Sequence, residues 1–276
     1  MKAVWQFSAI VVVGVIGGRT VAMVAGNPWL TFTLGLVVAL IAVLVYGWVV
    51  RLTEGHPATD VAPQSAVSGI GWGTLIGVLL FGAVIVNIAL LGFYEVDGLG
   101  TVTGAVGLFG FMAAAAVTEE VLFRGVLLRF VEKGAGTWIA VAVSSVLFGL
   151  WHLPNPNASL LGIVIITVGA GGMLAAAYVA TRGLWMPIGL HFGWNFAASA
   201  IFSTEVSGNG TPQGLLEATT SGPLLITGGD FGPEASLYSL VFLVLTTAVF
   251  LWLARRRRNL VPMRRSDRQA VATLPR

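Results

Sequence analysis

Long apolar runs are the feature of this sequence that most limits what it can fold into. Residues 32–50, "FTLGLVVALIAVLVYGWVV", contain no charge. A run of about 20 such residues is long enough to cross a bilayer, and only a helix there satisfies its own backbone hydrogen bonds. The chain is 56% hydrophobic and 10% charged, whereas soluble domains carry roughly 25% charged residues. The sequence therefore predicts an all-α polytopic membrane protein with about eight transmembrane helices. The runs lie near 5–24, 31–50, 69–93, 101–122, 137–153, 159–181, 184–203 and 237–254.

The distribution of Lys and Arg predicts the orientation, because basic residues concentrate on the cytoplasmic side of membrane proteins. If both termini are cytoplasmic, the outer connections near 25–30, 94–100, 154–158 and 204–236 contain no Lys or Arg. We therefore expect a multi-pass protein of the cell membrane, in contact with lipid, with both termini cytoplasmic. The basic residues of the inner segments are Lys2, Arg51, Arg129, Lys133, Arg182 and those of the tail 255–276.

The composition excludes thiol chemistry and gives no indication of a nucleic-acid partner. The chain has no cysteine, which excludes disulfides and thiol catalysis. Its net charge of +3 is explained by the basic tail, so no nucleic-acid partner is predicted.

Lys2, the first apolar run and "AMVAG" could form a signal peptide, but a second apolar run follows at once and favours a transmembrane helix. The outer connection 204–236 is either functional or loosely ordered, and loose order is the simpler interpretation.

Two adjacent glutamates stand inside an apolar run, in "AAAAVTEEVLFRGVLLRF" at 113–130. A carboxylate in hydrocarbon is costly, so it pairs, faces water or does chemistry. Glu120 and Arg124 are four residues apart and can form an ion pair on one helical face. Glu119 is rotated by about 100° from Glu120, so its carboxylate is left for a cavity.

Two further helices carry polar residues at helical spacing. His191 and Asn195 share one face, as do Phe148 and His152 on the preceding motif-bearing span. Glutamate and histidine can activate water, and a histidine with an asparagine amide can stabilise an oxyanion. Each pattern alone has a simpler interpretation, since His152 can be a local hydrogen-bonding residue and the Glu–Arg pair a structural clamp. Their order inside three spans favours a shared polar site.

At these residues the sequence resembles the CPBP family, the CAAX-protease and bacteriocin-processing (Abi) intramembrane proteases. The family motifs EExxxR, FxxxH and HxxxN occur here in that order. The resemblance covers 101–203 as a protease core. It leaves 1–100 as three N-terminal helices, 204–254 as an external loop with the last helix, and 255–276 as a tail. It implies an endopeptidase of membrane-associated, in some members prenylated, peptides. The implied roles are Glu119 as base assisted by His152, His191 and Asn195 at the oxyanion, and Glu120, Arg124 and Phe148 in support.

The cofactor and the class of function are left with alternatives. Two histidines and a glutamate could hold a catalytic Zn²⁺, but HExxH is absent, and a metal-free glutamate mechanism is at least as well supported. A non-catalytic scaffold or bacteriocin self-immunity protein could bind a peptide in the same pocket. A proton-coupled transporter is least favoured, because no internal repeat of the kind common in transporters is present.

The geometry expected of this site is one wet cavity in the inner half of the membrane. Glu119, His152, His191 and Asn195 should line it together, because one pocket then satisfies all four polar groups. At 1.5 Å per residue, His191 would lie about 10 Å shallower than Glu119 if the spans were straight. Either "GLWMPIG" at 183–189 is a non-helical entry, or tilt and different span boundaries close this gap.

Overall fold

The fold is a bundle of apolar helices, and the computed structural model describes residues 1–211 and 214–263 of it. Six helices in this part of the chain are long and apolar enough to cross a membrane. Two shorter apolar helical segments, Thr137–Trp151 and the continuous helix 185–201, bring the helical segments to the eight predicted. The protein is therefore a helical multi-pass membrane protein, as predicted.

The helices contain three π-helical segments, in which the backbone bonds run from residue i to i+5. We label these π1 to π3, and π1 and π3 each continue a helix that carries a motif. The elements in chain order are α1 (Lys2–Met23), α2 (Pro28–Glu54), α3 (Ala66–Leu90), β1 (Tyr94–Leu99), α4 (Val102–Glu120), π1 (Val121–Leu128), α5 (Arg129–Ala135), α6 (Thr137–Trp151), α7 (Leu160–Ile165), π2 (Ile166–Gly171), α8 (Gly172–Thr181), α9 (Trp185–Phe196), π3 (Ala197–Ile201), β2 (Leu216–Thr220), α10 (Leu224–Thr227) and α11 (Leu237–Arg256).

The surface of the bundle is apolar, which suits a lipid solvent. On α2, Leu40, Leu44 and Trp48 are 59%, 60% and 64% exposed. The opposite face of the same helix, represented by Ala42 and Tyr46, is fully buried. Both faces are hydrophobic, and a helix apolar all round belongs in a membrane or a large core.

The predicted inner connections all lie at one end of the bundle. Glu54, at the end of α2, forms ion pairs with Arg129 at 2.7 Å and Lys133 at 3.0 Å. Glu132 pairs with Arg182 at 2.5 Å, and Arg182 also donates to the Asn259 carbonyl after α11. Segments that the sequence placed on one side of the membrane thus contact one another. Which side is cytoplasmic stays a prediction, and residues 264–276 of the predicted tail lie outside the described residues.

The opposite end of the bundle is closed by the predicted outer connections. β1 and β2 pair antiparallel there, with Tyr94 opposite Thr220. The Tyr94 hydroxyl donates to the Phe202 carbonyl at 2.8 Å. The connection 204–236 also contains a short helix and two 3₁₀ turns. The favoured interpretation of this segment as loosely ordered is therefore wrong for its described residues.

Glycines allow two pairs of helices to pack backbone against backbone. A Cβ on Gly77 of α3 would lie 2.4 Å from the Leu190 carbonyl oxygen, and one on Gly193 of α9 would lie 2.3 Å from the Thr74 oxygen. Gly35 of α2 and Gly110 of α4 approach in the same way, with 2.1 Å from the Gly35 Cβ position to the Gly110 oxygen. Small residues permit such close packing in membranes. Two of the three helices that carry motifs, α4 and α9, are thereby fixed against α2 and α3.

The helix that carries the two glutamates is longer than predicted. The span was expected to end near residue 122, but α4, π1 and α5 run without a break from Val102 to Ala135. The ion pairs of its inner end with Glu54 and Arg182 hold this extension in place. The segment 183–189 is not a non-helical entry, because α9 already begins at Trp185. His191 Nε2 nevertheless lies 3.9 Å from a Glu119 carboxylate oxygen, so the expected difference in depth between these two side chains is not found.

Candidate active site

The two glutamates stand in different surroundings, as their helical angle predicted. Glu120 is fully buried, and its Oε1 accepts a hydrogen bond from Arg124 Nη1 at 2.7 Å. The Glu119 side chain is 17% exposed, and its Oε2 has no hydrogen-bond partner. Each glutamate has one buried oxygen, Oε2, without a hydrogen-bond partner. The difference is that Glu120 is neutralised by a fixed cation, whereas among the described residues Glu119 pairs only with His191.

Arg124 is held on three sides within π1. Besides its bond to Glu120, Nη2 donates to the Gly171 carbonyl at the end of π2, at 3.2 Å. Its guanidinium carbon lies 4.4 Å from the centre of the Phe148 ring, a cation–π distance. π-helical turns commonly occur at functional sites, and π1 puts Arg124 where it contacts residues from α4, α6 and π2.

His191 lies between the two glutamates. Its Nδ1 is 3.0 Å from Glu120 Oε1, and its Nε2 is 3.9 Å from Glu119 Oε2. The first contact is a hydrogen bond, and the second is too long for one. The ring is therefore fixed by Glu120 through one nitrogen and faces Glu119 with the other.

His152 is linked to the same histidine through Phe148, and Asn195 lies four residues after His191 on α9. His152 ends α6, and its Nδ1 is 2.8 Å from the Phe148 carbonyl oxygen. When Nδ1 is the donor, Nε2 is left as an acceptor in the neutral ring. The Phe148 ring centre lies 5.0 Å from that of His152 and 5.8 Å from that of His191. Phe148 therefore packs against Arg124 and against both imidazoles.

The four predicted catalytic residues are close together but do not line one cavity. Glu119 borders an apolar cavity of about 150 Å³ that α1 also lines, through Ile10 and Gly14. His152, His191 and Asn195 border a second, small cavity of about 20 Å³, which is enough for one water molecule. The prediction of one shared cavity is wrong in this structure. The two compartments meet where His191 faces Glu119.

The small cavity contains two residues that sequence reasoning missed, Ser207 and Glu234. Both come from the outer connection 204–236, and both are buried. The cavity therefore lies at the outer-connection end of α6, and the expectation of an inner-half pocket does not match this position. No spacing links either residue to the three motifs. Only the presence of four acidic residues in that connection could have drawn attention to it.

The side chains present do not form a metal site. Residues 1–211 and 214–263 contain no group of three or more His, Asp or Glu that could hold a metal ion. Glu120, which contacts His191, is already paired with Arg124. Glu119 and His191 face each other, but among these residues no third ligand is grouped with them, so a His–His–Glu zinc centre is not assembled and the chemistry below is derived from the protein groups.

Comparison with known proteins identifies the segment that carries these residues. Residues 100–197 match the family model described as "Type II CAAX prenyl endopeptidase Rce1-like". This segment belongs to the CAAX-protease family. The match contains all seven residues of the three motifs and supports a membrane CAAX-type endopeptidase acting on a membrane-associated protein. No curated protein matches the chain, and no solved structure does.

Proposed function

We propose that this protein is an intramembrane endopeptidase that hydrolyses a peptide bond of a membrane-associated, CAAX-type substrate with water activated by Glu119. The observation that carries the proposal is the position of His191 between a neutralised glutamate and a free one. Two adjacent carboxylates with different partners are suited to different tasks. The family of the matched segment supplies the reaction class.

Glu119 is the proposed general base. Its unpartnered oxygen and the Nε2 of His191, 3.9 Å apart, can both hydrogen-bond one water between them. Glu119 takes a proton from this water, and the hydroxide attacks the carbonyl carbon of the peptide. The proton then passes to the leaving amide nitrogen as the C–N bond breaks. Histidine and glutamate commonly perform such transfers.

Asn195 is the proposed donor to the oxyanion, joined by His152 when both nitrogens of its ring carry protons, because the Nδ1 proton is already given to the Phe148 carbonyl. Asn195 and His152 both border the small cavity, as His191 does and Glu119 does not. The family resemblance assigns His152 to Glu119 and His191 to the oxyanion. The contact distances favour His191 beside Glu119, and we adopt that arrangement. Donors already in place when charge develops lower the barrier because they need no reorganisation.

The experiment that tests the proposal is cleavage by the purified protein. A prenylated CAAX peptide and a panel of membrane-spanning peptides are incubated in liposomes, and new termini are identified by mass spectrometry. We expect at least one peptide to be cut by the wild type. A scaffold or self-immunity protein would retain a peptide without producing new termini, and that result across the panel would contradict the proposal.

A further inference from the structure

Glu234 is a buried carboxylate that the proposed reaction does not use. Its side chain lies in a 3₁₀ turn of the outer connection and is 4% exposed. Oε1 accepts from Trp194 Nε1 at 2.6 Å, and Oε2 accepts from the Ser207 amide at 2.6 Å and the Ser207 hydroxyl at 2.7 Å. Within residues 1–211 and 214–263 no Lys or Arg pairs with it.

The hydrogen bond from Trp194 connects Glu234 to α9. Trp194 stands between the two motif residues of that helix, three positions after His191 and one before Asn195. It is 3% exposed, and its ring packs edge-on against Phe81 with ring centres 5.0 Å apart. Because the indole is fixed both by Phe81 and by Glu234, the rotation of α9 about its axis is fixed as well.

The hydrogen bonds from Ser207 connect Glu234 to His152. The Ser207 carbonyl accepts a hydrogen bond from the Asn155 side chain (Nδ2) at 2.7 Å. The backbone N–H of Asn155 donates to the His152 carbonyl at 3.2 Å. Ser207 has a positive φ of 53°, an uncommon backbone conformation outside glycine. This conformation is held by bonds on both of its sides. A continuous path of hydrogen bonds thus connects the end of α6 with Trp194 of α9.

We infer that Glu234 and Ser207 are positioning residues, which set the spacing between His152 on one side and His191 with Asn195 on the other. We call this pair the outer clamp. The inference rests on the proposed function for its catalytic consequence, but the clamp itself is a structural claim. Both residues lie outside the family-matched segment 100–197, so the outer connection supplies part of the geometry of a site whose motifs lie elsewhere.

We expect a kinetic effect because the cavity between His152, His191 and Asn195 is small. The small cavity has room for one water. Misplacing a reacting group by about 1 Å can lower a rate by about 100-fold. Glu234→Gln keeps the shape of the side chain but places an NH₂ group against either the Ser207 donors or the Trp194 donor. It should break one arm of the clamp without leaving a cavity.

The test combines cleavage kinetics with hydrogen exchange in the full-length protein. For the cleaved panel peptide, kcat of Glu234→Gln should fall by about 10- to 100-fold with KM unchanged. Asn155→Ala should lower kcat in the same way. The double variant should lose no more than the worse single variant, because both changes break one connection. Amides of 152–158 should exchange faster in Glu234→Gln, although the path reaches them only through Ser207.

Glu205 provides the matched control in the same connection. It accepts from Gly210 N at 2.8 Å and Thr211 N at 3.0 Å but does not border the small cavity. Glu205→Gln should leave kcat and the exchange of 152–158 unchanged.

The outcomes separate the clamp from the proposed function. Unchanged exchange at 152–158 in Glu234→Gln, or losses that multiply in the double variant, would overturn the clamp while leaving any Glu119-dependent cleavage in place. Absence of cleavage by the wild type would count against the proposed function, and the exchange measurement would still decide the clamp.

Discussion

At the scale of single residues, adjacent carboxylates in one apolar helix have opposite environments. The rotation between neighbouring helical positions predicted that Glu120 would meet Arg124 and that Glu119 would not, and the 2.7 Å contact confirms the pair. The sequence could not show that His191 also contacts Glu120, because that contact joins residues 71 positions apart. Local spacing predicts contacts within a helix, whereas contacts between helices depend on how the bundle packs.

Removing Glu120 should destabilise the protein, because Arg124 would be left fully buried without its partner. Losing one member of a buried ion pair costs about 3–5 kcal/mol. We expect Glu120→Ala to unfold at a clearly lower temperature in detergent and to accumulate poorly. Glu95→Ala is the control, since Glu95 is exposed on β1. A Glu120→Ala protein as stable as the control would mean that the pair does not hold the helix.

At the scale of helices, the sequence predicted where the apolar spans lie better than where they end. The predicted span 101–122 ended just before "FRGVLLRFVEK", the segment in which charged residues become frequent. The structure continues the helix to Ala135 because Arg129 and Lys133 find partners on α2. The π-helical segments were not predicted either. They add a residue to a turn, and helices that are apolar on nearly every face carry no periodic pattern in which such a shift could be seen.

Close packing of helix backbones predicts that alanine substitutions at two glycines change the stability of the protein in opposite directions. Gly193→Ala should destabilise the protein, since the added Cβ would lie 2.3 Å from the Thr74 oxygen and force α3 and α9 apart. Overpacking of this kind costs about 1–3 kcal/mol. Gly47→Ala on α2 meets nothing within 4 Å, and alanine is the better helix former by about 1 kcal/mol. Thermal unfolding of both variants checks this, and equal effects would contradict the packing.

At the scale of the whole molecule, the number of apolar runs and the positions of Lys and Arg predicted that successive connections alternate between the two ends of the bundle. The position of the outer connection did not follow from the sequence. Glu234 is separated from His152 by 82 positions, and nothing in its neighbours marks it as buried. The position of His191 between Glu119 and the cavity that His152 and Asn195 border likewise depends on side-chain packing between spans.

The orientation gives a prediction for the molecule in a membrane. A reporter fused after Arg258 should be cytoplasmic, and one inserted near Gly210 should be external, because Lys and Arg concentrate on the cytoplasmic side. Reporter activity in intact cells measures both, and a fusion in the 51–66 connection, on the predicted cytoplasmic side, is the control. A C-terminal reporter found outside would contradict the arrangement of eight spans.

The central claim, that Glu119 activates water for peptide hydrolysis, is tested most directly by Glu119→Gln. This substitution removes the base and keeps the side-chain shape, and Glu119 Oε2 makes no hydrogen bond whose loss would weaken the fold. We measure cleavage of the same peptide by wild type and Glu119→Gln in liposomes, after checking that both unfold at the same temperature. The account predicts that the variant folds normally and produces no new termini. Cleavage by Glu119→Gln at the wild-type rate would contradict it.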